Sequence, residues 1–318
     1  MRRWRESEIR VVAALGGNAL LQRGEKPAAE IQQHHVVDAV RQLSRICQGN
    51  EIIVTHGNGP QVGMLALESA NDPALDHPFP LDVLGAQTQG MIGYWLVQAL
   101  DNVLECPVVA LLTQTVVDAK DPAFDTPTKF VGRGYSKEEA RRVGAGKWTL
   151  REDGQLWRRV VPSPEPIEVV EISIVKDLVS RGTLVVCAGG GGIPVARDQR
   201  GHLEGVEAVI DKDLAAALIA RDVAADVLLL LTDVPAVLAD YGLPTQHPID
   251  RATVAELQAM SFPAGSMGPK VEAACRFVEA TGKPSMIGQL DDAAELVRGT
   301  RGTVVESVSQ AAASRGPA

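Results

Sequence analysis

Two lysines stand where a phosphate group could meet them. Lys212 lies in Val209-Ile210-Asp211-Lys212-Asp213, directly before the helical pattern Leu214 to Ile219. Lys270 closes Gly265-Ser266-Met267-Gly268-Pro269-Lys270 and precedes the pattern Val271 to Glu279, with Pro269 suited to a first helical turn. An ammonium group and the free amides of a helix start favour the same anion. A lysine between two aspartates is equally the make-up of a surface ion pair worth little. Three glycine loops could add further donors: Gly16-Gly17-Asn18, Gly57-Asn58-Gly59, and the run Gly189 to Gly192. Without a Cβ, the backbone can close on a ligand and present its N–H groups.

Other chemistries fit less well. G-x-x-x-x-G-K-[ST] occurs nowhere, since Lys147 follows Gly146 but precedes Trp148. Gly57, Gly59 and Gly63 give G-x-G-x-x-x-G, one residue too long for a dinucleotide fingerprint. Ala264-Gly265-Ser266-Met267-Gly268 loosely follows a nucleophile elbow, but Ser261-Phe262-Pro263 is a poor strand to carry one. His34-His35 has no partner at a ligand interval and reads as the exposed side of a helix, so no protein metal site is expected. A divalent ion would be Mg²⁺, carried in with nucleotide phosphates.

Composition narrows the class. The 318 residues are 45% hydrophobic and carry a formal charge of −9, which suits a folded domain and argues against a nucleic-acid binder. Cys47, Cys106, Cys187 and Cys275 lie far apart, without C-x-x-C, as in a reducing compartment. The N-terminal residues are polar, and the longest apolar run, Val227 to Leu231, cannot span a bilayer. A cytoplasmic protein without membrane partners is expected.

The elements that must position these groups alternate. Ile9–Leu15, Glu51–Thr55, Val108–Leu112, Thr183–Ala188, Val227–Leu231, Ser285–Gly288 and Gly302–Glu306 read as strands. Helical patterns lie between most of them, such as Glu30 to Gln48 with Ile31, Val36, Val40, Leu43 and Cys47 on one face. Continuously apolar strands separated by helices predict an α/β fold with a mostly parallel sheet covered on both faces. Ligands of such sheets sit beyond the carboxyl ends of the strands, where the glycine loops fall. Residues 118–166 break the alternation. From Lys129 to Arg159 they hold nine basic against four acidic residues, and they read as a lobe able to bring positive charge over an anionic ligand or as a solvated insertion. Met1 to Arg10 and the stretch after Glu306 carry no pattern beyond disorder.

Taken together, Val12-Ala13-Ala14-Leu15-Gly16-Gly17-Asn18-Ala19-Leu20, Thr55-His56-Gly57-Asn58-Gly59-Pro60-Gln61-Val62-Gly63 and Gly189-Gly190-Gly191-Gly192-Ile193-Pro194-Val195 resemble the carbamate kinases of the amino-acid-kinase superfamily. Pro127-Thr128-Lys129, Trp157-Arg158-Arg159-Val160-Val161-Pro162-Ser163-Pro164, the segment Gly205 to Asp213 and Gly265-Ser266-Met267 extend the resemblance over about residues 9 to 306. It implies one three-layer α/β/α sandwich with a roughly eight-stranded sheet. An acceptor-binding half would span about 9–180, a protruding subdomain about 118–166, a nucleotide-binding half about 181–306, and a tail 307–318. The implied reaction is ATP plus carbamate giving ADP and carbamoyl phosphate, often reversed to make ATP in arginine or other nitrogen catabolism. Gly16, Gly17 and Asn18 would touch the moving phosphoryl group, and Gly57, Asn58 and Gly59 would hold the carbamoyl end through backbone N–H groups. Lys129 would reach down from the lobe. Lys212 and Lys270 would span the phosphates with Asp213 orienting them, beside Gly190 and Gly191. Tyr241 and Met267 would lie near the adenine. A homodimer is also implied, for which Gly85, Gly90 and Gly93 on one helical stretch permit close packing. Phe130 and Pro235 depart from the pattern, and kinases of glutamate, N-acetylglutamate, aspartate or UMP, or a sensor without turnover, are the rival readings.

Overall fold

The computed structural model describes residues 9–22, 24–143, 148–262, 267–308 and 310–311, with Asn18 described in its backbone alone. Eight strands form the central sheet: β1 (Arg10–Leu15), β2 (Glu51–His56), β3 (Val108–Ala110), β4 (Leu184–Val186), β5 (Val227–Thr232), β6 (Arg251–Thr253), β7 (Ser285–Gln289) and β8 (Thr303–Glu306). Their order is β6-β8-β7-β5-β1-β2-β4-β3, and every pairing is parallel except β7 with β8. The chain leaves β1 toward β2 on one side and returns to β5 on the other. The switch point of the sheet therefore lies at β1 and β5, where a ligand crevice is expected.

Period-two burial explains the layers. Val12, Ala14, Ile53, Leu228 and Leu230 face one cluster, which is closed by α4 (Ile172–Ser180), α5 (Lys212–Asp222) and α6 (Met267–Thr281). Val11, Ala13, Leu15, Ile52, Val54 and Leu229 face the other, closed by α1 (Ala29–Cys47) and α3 (Leu81–Asp101). The sandwich is α/β/α, as the residues and the resemblance predict. None of the described helices is long and apolar enough to cross a membrane.

Two further sheets were not apparent from the sequence. Gln114–Val116, Glu168–Val169, Ile193–Arg197 and Leu203–Gly205 form one of four strands. Lys129–Tyr135, Leu150–Asp153 and Leu156–Val161 form another of three, so the stretch that breaks the alternation holds an antiparallel sheet with Leu156–Val161 in the middle. It packs on α2 (Gly59–Asn71), where Val62 and Ala66 meet Val131 and Val161. The approach is closest between Gly63 and Gly132, since a Cβ on Gly63 would lie 2.0 Å from the Gly132 Cα.

Two smaller expectations are corrected. His34 is exposed, but His35 is largely covered and bonds Glu25 Oε2 at 2.9 Å, because it faces Glu25 rather than solvent. Of the three α3 glycines only Gly90 is exposed. Gly85 and Gly93 turn inward, and Gly93 leaves room for Ala110.

Candidate active site

The glycine loops meet at the carboxyl ends of β1, β2 and β4. Beyond β1 the chain makes a single 3-10 turn, Gly17–Ala19, whose first N–H groups have no partner within the turn. Beyond β2, Asn58 stands at the N-cap position of α2 without a side-chain cap bond, leaving the first amides of that helix equally free. The two turns touch: a Cβ on Gly57 would lie 2.9 Å from the Gly17 nitrogen and 3.5 Å from Cδ of Lys212. Gly57 is thus a close-approach glycine. Its own N–H donates to the Leu15 carbonyl at 3.0 Å, which corrects the expectation that it donates to a ligand.

The run Gly189 to Gly192 is held by close packing as well. All four residues are buried, and each is backed by a neighbour that excludes a side chain. A Cβ would fall 2.3 Å from the His56 ring at 189, 2.1 Å from Asn58 Nδ2 at 190, 2.7 Å from the Ile210 carbonyl at 191 and 2.0 Å from Thr115 Oγ1 at 192. Gly191 donates its N–H to Ala188. Packing by itself already demands glycine here. The run is a floor under Asn58, whose side chain donates to Thr88 Oγ1 at 2.9 Å while Thr88 donates to the Gly85 carbonyl.

Helix α5 begins at this floor. Asp211 is its N-cap, with Oδ1 accepting from the amides of Asp213 and Leu214. Capping points Lys212 and Asp213 into the interior, where they are only 9% and 4% exposed. Asp213 then takes two ammonium groups, Lys212 Nζ on Oδ1 at 2.5 Å and Lys270 Nζ on Oδ2 at 3.0 Å. Lys270 arrives from the first turn of α6, which packs along α5. The lobe supplies the third cation, since Lys129 Nζ lies 2.5 Å from Asp211 Oδ2. Three lysines and two aspartates thus form two adjoining sets of ion pairs, Lys129–Asp211 and Lys212–Asp213–Lys270, with a local excess of one positive charge.

Burial and pairing set the protonation states. Burial lowers Lys212 to about 8, with Lys270 adding repulsion and Asp213 only partly offsetting both. Burial also acts to lower Lys270, but there the paired carboxylate of Asp213 prevails and raises it. Burial acts to raise Asp213 and Asp211, yet the adjoining lysines hold both below the usual carboxylate range. His56, buried at the end of β2, is pushed down to about 4 mainly by desolvation and stays neutral. A ligand entering this cleft meets cations, amides, a neutral His56 and two carboxylates already engaged by lysines.

The remaining candidates lie further out. Met267 opens α6 and packs partly against the core. Tyr241 stands between the strands of the hairpin Leu238–Ala239/His247–Pro248 and is 69% exposed. Gly265 and Ser266, with the Ala264 elbow pattern, lie outside the described residues. Phe130 lies under Arg158, whose guanidinium carbon is 5.5 Å from the ring centroid, and the Pro235 carbonyl abuts Gly288. Sequence reasoning missed Asp211, Thr88 and Thr115. Of these only Asp211 carried a signal, an aspartate directly before a helix.

This arrangement has close counterparts. A model of the amino acid kinase family matches residues 10–289. The carbamate kinase of Rhizobium meliloti (strain 1021) is 51% identical over 305 residues, covering 94% of each chain. That of Haemophilus influenzae is 50% identical, covering 93% of this chain and 96% of its own. A solved carbamate kinase from Giardia lamblia bound to citric acid superposes with a TM-score of 0.90 at 42% identity, over 95% of this chain and 99% of that one. The same enzyme bound to AMP-PNP gives 0.85.

Proposed function

Since the chain belongs to the amino acid kinase family and, within it, to the carbamate kinases, we propose that its cluster of three lysines carries a phosphoryl group between ATP and carbamate, with ADP and carbamoyl phosphate on the other side. The observation that supports this most is the pairing of Asp213 with both Lys212 and Lys270, beside the touching turns at Gly17 and Gly57.

Carbamate is already an anion, so its oxygen attacks the γ-phosphorus without a general base. Catalysis rests on alignment and on neutralising oxygens that repel. In this reading Lys212 and Lys270 span the β- and γ-phosphates, and Asp213 fixes their spacing. The amides of Gly17 and Asn18 meet the phosphoryl oxygens. The amides of Asn58 and Gly59 hold the carbamoyl end, with Gly57 letting the two turns close. Lys129 serves the acceptor side from the lobe at 118–166. Residues 9–180 would then be the acceptor half and 181–306 the nucleotide half, with Gly190 and Gly191 flooring the cleft and Met267 and Tyr241 on the adenine side. Mg²⁺ belongs to the nucleotide as substrate. Asp211 and Asp213 are engaged by lysines, so phosphate and water are its natural ligands.

We assign the enzyme to the cytoplasm, to ATP formation from carbamoyl phosphate in arginine or other nitrogen catabolism, and to a homodimer. The exposed side of α3 at Val83, Gly90 and Tyr94 is a surface on which two copies could meet. The test of function is a coupled assay with ADP and carbamoyl phosphate, read as ATP formed. Brisk ATP formation is expected. None, alongside strong phosphorylation of another carboxylate by ATP, would overturn the assignment.

A further inference from the structure

Asp211 divides its two oxygens between two tasks. Oδ1 closes the start of α5 by accepting from Asp213 and Leu214 at 2.9 and 3.3 Å. Oδ2 faces the other way and holds Lys129 of the lobe strand Lys129–Tyr135 at 2.5 Å. Helix capping alone explains only the first contact. The second spans 82 residues of sequence and ties the lobe to the helix that bears Lys212 and Asp213.

We propose that Asp211 is a positioning residue, a clasp that holds the lobe down on α5 and fixes Lys129 in the cleft before substrate arrives. An ammonium group has three donors. Asp211 occupies one, so Lys129 can remain clasped while its other two meet substrate oxygens. The same lobe is seated on neighbouring backbone through Val209 N–H on the Pro162 carbonyl at 2.9 Å and through the Gly63–Gly132 approach. Neither contact orients the lysine, and Asp211 does. The acceptor-side role of Lys129 in this inference rests on the proposed function; the clasp itself does not.

Asp211→Asn separates the two tasks. Asparagine caps a helix about as well as aspartate, so α5 keeps its start while the charge facing Lys129 is lost. Hydrogen exchange of the ligand-free protein reads the clasp directly. Amides of 129–135 and 156–161 should exchange about tenfold faster or more, the size of a lost charged hydrogen bond, while those of 214–222 hold near wild type. In the ADP and carbamoyl phosphate assay, kcat should fall about tenfold or more with KM for ADP within about twofold. A residue that only caps would move neither readout. Lys129→Met breaks the pair from its other end without touching α5, and should speed lobe exchange equally; it carries the test if Asp211→Asn fails to fold. Unchanged lobe exchange in Lys129→Met, or in a folded Asp211→Asn, overturns the clasp. Faster lobe exchange in the variants, with no ATP formed by the wild-type protein, leaves the clasp standing and overturns the functional reading instead.

Discussion

Gly190→Ala tests whether the glycine run is a packed floor or an open display of amides. Gly190 has φ +67° and faces Asn58, so an added Cβ would sit 2.1 Å from Nδ2. Gly182 has φ +82° with nothing within 4 Å of the same position. Alanine in the left-handed region costs about 1–2 kcal/mol at either site. The loss of unfolded-chain freedom, about 0.4–1 kcal/mol in the opposite sense, is also common to both. Only Gly190→Ala must displace a side chain pinned to Thr88, which adds about 1–3 kcal/mol of overpacking. Urea unfolding of the two variants should therefore differ by about 1–3 kcal/mol, Gly190→Ala being the weaker. Its ATP formation should also fall, because Asn58 sets the first turn of α2. Equal losses in both variants would refute the packed floor.

Further outcomes follow from the same geometry. Asp213→Asn leaves two buried ammonium groups without their shared carboxylate, and should cost about 3–5 kcal/mol in thermal or urea unfolding as well as turnover. A loss below 1 kcal/mol, about that of an exposed pair, would contradict the burial. Lys212, with a folded value of about 8 against an ordinary 10.5, is charged below pH 8 and loses its proton as pH rises through it. So kcat/KM for ADP should fall on the alkaline side from about pH 8, and a flat profile to pH 10 would remove Lys212 from the phosphates. The burial of that charge opposes folding below pH 8, and this opposition relaxes between 8 and 10.5. Gly63→Ala should prise the lobe from α2, raising KM for carbamoyl phosphate while ADP affinity, measured by calorimetry, stays near wild type.

The central sheet was legible because its strands are buried on both faces. Val227–Leu231 is bounded by Asp226 and Thr232, and Val227–Thr232 is what forms. Strand β6, Arg251–Thr253, escaped since three residues with one exposed arginine make no apolar run. In the lobe only Val131 and Tyr135 of the first strand are buried, too sparse a pattern to read as period two. The lysines were legible from their places at helix starts, and Asp211 was visible as half of an ordinary ion pair and as an aspartate directly before a helix. What could not be read was why glycine recurs. Gly57 and Gly189–Gly192 answer to Gly17, His56, Asn58, Ile210 and Thr115, contacts made across the fold and not along the chain.

The most direct measurement compares Lys129→Ala with Lys270→Ala, taking kcat from the ADP and carbamoyl phosphate assay and ADP affinity from calorimetry. If lysines from the lobe and from α6 close on one phosphoryl group from opposite sides, both variants lose turnover, but only Lys270→Ala also loses ADP binding. Equal weakening of ADP binding in Lys129→Ala, or turnover retained in either variant, would contradict the account.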